Sequence, residues 1–249
     1  MNILILGGGG REHSIAWATK QNPKCDRLIV APGNAGIAQI AWCAELDIED
    51  GAAVVEFCME NSVDMVIVGP EAPLAAGVAD AVRSAGVLCL GPSAAAARLE
   101  ASKAFTKEIC DAANVRTAAW ARFTDAARAR AYVRAQGAPI VVKADGLAAG
   151  KGVVVAETVE QAEAAIDEMF GGAFGTAGAE VVIEEFMAGE EASFFVLCDG
   201  LDALPIGTAQ DHKRIGSGLG LFHRFGDHDP FASREPVGLH HDRSALSPD

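Results

Sequence analysis

A largely apolar run, Asn2–Leu6, ends directly in four glycines, Gly7–Gly10, and a helix-forming stretch opens at Arg11. No other feature of the chain restricts its fold so tightly. Aliphatic residues without polar alternation predict a strand covered on both faces, as in a parallel sheet. Glycine between such a strand and a helix lets the backbone approach an anion closely. The helix start adds unpaired N–H groups and a partial positive charge. Four glycines exceed the need of a plain strand-to-helix turn, so phosphate binding is expected there. The spacing is not G-x-G-x-x-G, which disfavours a dinucleotide. Arg11, Glu12 and His13 stand in the first helical turn, where their side chains could reach the same ligand.

The same rhythm continues. Strands are expected at Leu28–Val30, Asp64–Val68 and Val87–Leu90. Helices are expected at Arg11–Lys20, with Ile15, Ala16 and Trp17 inward, and at Ala52–Glu60, Leu74–Ser84 and Ala94–Glu100. Strand and helix in alternation predict a doubly wound parallel sheet. In such a sheet the loops after the strands converge on one edge, where ligands bind. Pro32–Gly36 and Gly69-Pro70-Glu71 therefore join the glycine loop in one expected crevice for a sugar phosphate.

Near residue 100 the order changes to helices (Lys103–Ala113, Ala126–Gln136, Val159–Met169) mixed with strands that pair back on themselves. These strands are Pro139–Ala144, Val153–Ala156, Glu180–Glu185, Ser193–Cys198 and Ala203–Ala209. A boundary near residue 100 and an α+β second part follow. Beyond Arg214 no period is sustained, and residues 216–249, rich in Gly, His, Pro and Arg, read as a weakly packed tail.

The net charge of −14 argues against a nucleic-acid-binding surface. The six cysteines occur singly, as expected of reduced thiols in a cytoplasmic protein rather than a disulfide or metal framework. No run is long and apolar enough to cross a bilayer, and the start lacks the features of a signal peptide.

Lys143-Ala-Asp-Gly-Leu-Ala-Ala-Gly-Lys-Gly152 is the most informative segment. A lysine at the end of an apolar strand is costly unless an anion pairs with it. The following loop, with Gly150, Lys151 and Gly152, could fold over phosphates. It leads into a strand rather than a helix, so it is a hairpin lid and not a Walker A loop. Val181–Met187 is a strand ending in paired carboxylates, whose backbone could meet an adenine edge while Gly189-Glu190-Glu191 meets ribose hydroxyls.

These segments, in order, resemble the ATP-grasp ligases, and within them the phosphoribosylamine–glycine ligase family. The matching motifs are Gly9–His13, Ala31–Gly36, Val68–Leu74, Ser102–Lys107, Lys143–Val153, Ile183–Phe186, Gly189–Ser193 and Gln210–Arg214. The resemblance implies a Rossmann-like α/β domain over residues 1–100 and an incomplete α+β ATP-grasp domain over 101–215, with 216–249 divergent. It implies ATP and Mg2+, with glycine and phosphoribosylamine as substrates and no nucleic-acid or membrane partner. By motif, Lys103, Lys143, Gly150, Lys151 and Gly152 would hold ATP phosphates. Glu184, Glu185 and Phe186 would border adenine, and Glu191 would meet the ribose. Gly9, Gly10, Asn34, Gly69 and Glu71 would line the phosphoribosylamine crevice. Asp211 and Lys213 would stand near the reacting carboxylate and phosphoryl groups. Residues before Arg214 carry no expected metal ligand.

After Arg214 the match stops, and a frameshift or premature end near residue 215 is the simplest account. Turnover by this chain is then expected to be poor. Two alternatives remain open, an inactive ATP- and phosphoribosyl-binding fragment and another ATP-grasp ligase such as a carboxylase. Asp211–Arg214 and Val68–Leu74 disfavour the latter.

Overall fold

A computed structural model of the chain describes residues 1–146, 152–173 and 180–211. The expected tail at 216–249, most of the lid, and Lys213 lie outside these. Met1–Ala188 forms one unit, and a second begins at Gly189.

The first unit opens with β1 (Asn2–Gly7), α1 (Gly10–Lys20), β2 (Arg27–Pro32), a 3-10 turn at Ile37–Gln39 and β3 (Trp42–Cys43). It continues through α2 (Gly51–Glu60), β4 (Met65–Val68), α3 (Glu71–Ala75), α4 (Val78–Ser84), β5 (Leu88–Leu90) and α5 (Ala94–Ala101). The five strands make a parallel sheet in the order β3-β2-β1-β4-β5. The period of two sends alternate residues of the central strand to opposite faces. Leu4 and Leu6 pack with Ile29, Val54, Val66 and Val78 on one face. Ile3 and Ile5 pack with Ala16, Val30 and Ile67 on the other. Both sets need apolar side chains, which is why the run shows no alternation.

Two expectations are corrected here. The single helix at Leu74–Ser84 is two, because Gly77 sits in the left-handed region at φ 86° and breaks the hydrogen-bond ladder. Trp17 is 61% exposed, and α1 turns Ala16 to the core instead.

The rest of the first unit comprises α6 (Lys103–Ala112), β6 (Trp120–Phe123), α7 (Ala126–Gln136), β7 (Ile140–Ala144), β8 (Val153–Ala156), α8 (Val159–Glu168), a π turn at Met169–Ala173 and β9 (Val181–Glu185). Ser93, Ser102, Asp125 and Thr158 accept N–H bonds at the starts of α5, α6, α7 and α8 and fix where each begins. The strands form an antiparallel sheet in the order β6-β9-β7-β8. Ile140, Val142, Ala144, Val181 and Ile183 pack against Ala129 and Val133 of α7 and Ala162 and Ile166 of α8. The intervening residues Val141, Lys143, Val182 and Glu184 therefore occupy the other face, with Val153 and Val155 beside them in register.

The second unit holds β10 (Glu191–Cys198) and β11 (Ala203–Asp211), an antiparallel ribbon with an irregularity at Phe195/Val196. Phe194, Phe195, Leu204 and Ile206 of this ribbon are exposed. Among the described residues no helix is long and apolar enough to cross a membrane. All six cysteines are free. Cys58 is buried, and burial pushes its thiol up to about 11, which makes it inert at neutral pH.

Candidate functional site

Two groups of expected residues assemble in the first unit. The first lies where β1, β2 and β4 end. Asn34 donates from Nδ2 to the Gly8 carbonyl at 2.8 Å, while its Oδ1 accepts from the Gly36 and Ile37 N–H groups at 2.8 and 2.9 Å. The loop after β2 is thereby fastened to the glycine loop. Gly8 passes so close to Gly33 that a Cβ would lie 2.5 Å from the Gly33 carbonyl oxygen.

Glu12 fastens the third loop. It belongs to the first turn of α1, yet it is only 4% exposed and points inward. Its Oε2 accepts the Gly9 N–H at 2.7 Å and its Oε1 accepts from Arg11 Nε at 2.9 Å. A Cβ on Gly69 would stand 2.3 Å from Oε1, so the carboxylate fits only because residue 69 has no side chain. Arg11 continues to Glu71 through Nη1 at 3.2 Å. Burial alone would raise the Glu12 carboxyl, but the bonds from Arg11 and Gly9 outweigh it and hold the group below the usual range. The structure thus brings Gly9, Gly10, Asn34, Gly69 and Glu71 to one edge. It also shows that the Gly9 N–H is already taken by Glu12, which leaves the start of α1 at Gly10 and Arg11 to face an anion. A separate groove of about 490 Å3 beside Lys20, Arg27 and Trp42 lies at the other end of the strands.

The second group surrounds the open face of the antiparallel sheet. Asp145, just past β7, accepts from the N–H groups of Lys103 and Ala104 and from Ser102 Oγ, so it closes the N-terminus of α6 as an anion would. Lys103 is swung toward the loop after β7 and donates to the Gly146 carbonyl at 3.1 Å. Burial pushes its ammonium below the usual lysine range; the Asp145 charge opposes this and Lys143 adds to it. Such a cation gains from an incoming anion.

Lys143 and Glu184 meet at 2.9 Å across the β7–β9 pair. Glu184 is buried at 6% exposure, and its second oxygen lies 3.1 Å from Lys107 Nζ. Gly152 accepts the Ala144 N–H at 2.8 Å just before β8. Val153 and Val155, beside Lys143 on the same face, are exposed and give an apolar platform. Glu185 is exposed, and its N–H bonds the Ala119 carbonyl at 2.9 Å, while Phe186 follows the end of β9.

Glu191 and Asp211 are in the second unit, where they are cross-strand partners at the open end of the ribbon. Gly150, Lys151 and Lys213 fall outside the described residues. Among the described residues no three His, Cys, Asp or Glu side chains stand close enough to hold a metal ion, so none is assigned to magnesium.

Three residues that organise these groups escaped the sequence reading: Glu12 as an inward latch, Asp145 as a cap, and Lys107 as a buried partner. The signals were present. Glu12 is the third helical residue after a glycine N-cap, the position from which a carboxylate reaches back. Lys103 and Lys107 are four apart on α6, hence on one face.

Comparison with known proteins supplies the frame. Residues 1–100 match the model of the phosphoribosylglycinamide synthetase N domain, and residues 101–220 match that of the phosphoribosylglycinamide synthetase ATP-grasp (A) domain. A phosphoribosylamine–glycine ligase of Mesorhizobium japonicum is 61% identical over 218 residues, covering 88% of this chain and 51% of that protein. The Brucella melitensis protein of the same name is 57% identical with the same coverage. The crystal structure of the Thermotoga maritima phosphoribosylamine–glycine ligase superimposes with a TM-score of 0.70 at 27% identity, covering 86% of this chain and 51% of that one. The chain spans about half the length of the curated relatives it matches. With the two family models laid end to end over residues 1–220, this chain belongs to the phosphoribosylglycinamide synthetase family of ATP-grasp ligases.

Proposed function

We propose that this chain carries the phosphoribosylamine-binding and part of the ATP-binding apparatus of a cytoplasmic phosphoribosylamine–glycine ligase. The observation that supports this best is the placing of two lysines. Lys103, from α6, bonds the loop after β7, Lys143 stands on the sheet close enough for the two charges to repel, and Val153 and Val155 offer that face an apolar platform. Cations at the phosphates and an apolar surface at the base are what a nucleoside triphosphate needs.

In this reading the phosphates lie at Lys103, Lys143 and the lid residues Gly150, Lys151 and Gly152. Adenine lies along Val153, Val155, Glu184, Glu185 and Phe186, and the assignment of Glu191 to the ribose rests on its motif alone. ATP phosphorylates the glycine carboxylate. The amine of phosphoribosylamine then attacks the acyl phosphate, and phosphate leaves, giving glycinamide ribonucleotide, ADP and phosphate. The chain contributes positive charge where the transferred group becomes more negative, which is the main catalytic demand of phosphoryl transfer. Asp211 and Lys213 belong near the reacting groups. The partners are small molecules, with no nucleic acid or membrane. Magnesium belongs to the family's chemistry, and no step is assigned to it on these residues.

The sugar phosphate is placed over Gly9, Gly10, Asn34, Gly69 and Glu71, with α1 aiming its first-turn N–H groups at the phosphate. Titration of the 15N-labelled chain tests both regions. Glycinamide ribonucleotide should move the Gly10 and Gly69 amides, and ATP should move those of Lys103, Gly146 and Gly152. Silence at millimolar ligand in either region rejects the proposal for that region. Binding in both without product in a coupled assay favours a ligand-binding role.

A further inference from the structure

Glu184 holds two ammonium groups, and they differ in how firmly they are placed. Lys107 Nζ has three acceptors, Thr117 Oγ1 at 2.6 Å, Glu184 Oε2 at 3.1 Å and the Ala118 carbonyl at 3.3 Å. An ammonium has three protons, so this one is saturated. Its side chain is 9% exposed, walled in between α6 and the segment leading to β6. Lys143 sits on the other oxygen at 2.9 Å, with 25% of its side chain exposed toward the open face.

A buried carboxylate left without a cation is strongly disfavoured. If Lys143 were the sole partner of Glu184, any anion drawing Lys143 away would strand that charge. Lys107 removes the obstacle, because Glu184 keeps one cation whichever way Lys143 turns.

We propose that Lys107 is a positioning residue for the nucleotide: it is the resident counter-ion of Glu184, and it leaves Lys143 free to exchange Glu184 for an incoming phosphate. Lys107 itself touches no ligand. The phosphate part rests on the nucleotide reading given above, whereas the release of Lys143 is a property of the ligand-free chain. The two can be tested apart.

The ligand-free test follows acylation of each lysine by an amine-reactive ester, resolved by peptide mass spectrometry, in the full chain. In Lys107→Met, Lys143 becomes the one cation on Glu184 among the described residues and is kept in that ion pair. Its labelling should slow by about five- to tenfold. In the double variant Lys107→Met/Glu184→Gln the rate should return to that of Glu184→Gln alone. A purely structural role for Lys107 would not produce that recovery. Lys143 labelling at the wild-type rate in Lys107→Met, or no recovery in the double variant, overturns the proposal. If the Met variant fails to fold by circular dichroism, Lys107→Gln, which can still donate to Thr117 without charge, carries the same comparison.

The second arm titrates ATP. Lys107→Met should weaken it about tenfold, the size of one charge-assisted contact, whereas Lys107→Arg, which keeps a cation beside Glu184, should bind ATP as the wild type does. If labelling behaves as stated while the wild-type chain takes up no ATP, the role of Lys107 stands and the nucleotide reading falls.

Discussion

Over the parallel sheet, three loops are fastened through Asn34 and one inward carboxylate with its arginine; over the antiparallel sheet, Lys103 and Lys143 stand around a buried charge. In the first region Asn34 spends its bonds on backbone N–H and C=O groups, Glu12 takes the Gly9 N–H and the Arg11 guanidinium, and close approach leaves the glycines no room to move. In the second, Lys143 and Lys103 each make one such contact of about 3 Å among the described residues, and an anion can replace it. On the proposed reading, the rigid frame would orient a sugar phosphate, and the side chains able to change partner would grip and release a triphosphate.

Substitutions can break this contrast. Glu184→Ala should cost the most, about 4 kcal/mol in urea unfolding, because Lys107 stays buried without its carboxylate. A loss under 1 kcal/mol would mean that water reaches this pair and that the second region is not charge-held. Gly8→Ala comes next, at about 3 kcal/mol, since the new methyl meets the backbone oxygen of Gly33 and neither loop can give way. Its crevice amides should shift together, whereas those around Lys143 should not.

Asp145→Ala sharpens the comparison from inside the second region. Asp145 serves backbone N–H groups, so its loss should behave like a lost helix cap, at about 2 kcal/mol. Lys143→Ala should cost under about 1 kcal/mol, because the group is partly exposed, yet it should remove most ATP affinity. If Lys143→Ala destabilised the chain as much as Asp145→Ala, the division between held and exchangeable groups would fail.

The smallest effect concerns pH. The Glu12 carboxyl is held below its ordinary value of 4.5, so its contribution is complete above that value. It is lost as pH falls through the lower folded value. Acid should therefore loosen the crevice, seen as movement of the Gly9 amide as pH falls below 4.5. Glu12→Gln should lack that step, while the wild-type chain should show it.

The sequence was most readable where local pattern and tertiary demand agree. β1 could be drawn to within a residue, because burial on both faces leaves no place for polar alternation. β6 was missed, since Trp120-Ala-Arg-Phe123 lies at a sheet edge and owes its conformation to pairing with β9 some sixty positions later. Expected residues gathered at both regions because motifs after strands share an edge by topology. What they do there was less visible. A glutamate in the sequence reads as a solvent-facing group, and only the absent side chains at Gly7 and Gly69 make room for Glu12 to turn in. Lys107 and Glu184 are likewise ordinary charges until α6 is laid against the sheet.

The strand order has a consequence for synthesis on the ribosome. β1 is made first but stands at the centre of its sheet, between β2 and β4. Asn2 waits for Asp64, sixty-two positions downstream, before its second neighbour exists. At ordinary elongation rates that interval is about 3–12 s. Throughout it, one edge of Ile3–Leu6 offers open amide and carbonyl groups and its apolar faces lack much of their cover. The nascent chain is thus most exposed to mispairing and to capture by chaperones before β4 emerges, and a pause in translation placed between β2 and β4 should lower the yield of folded protein more than the same pause after β5.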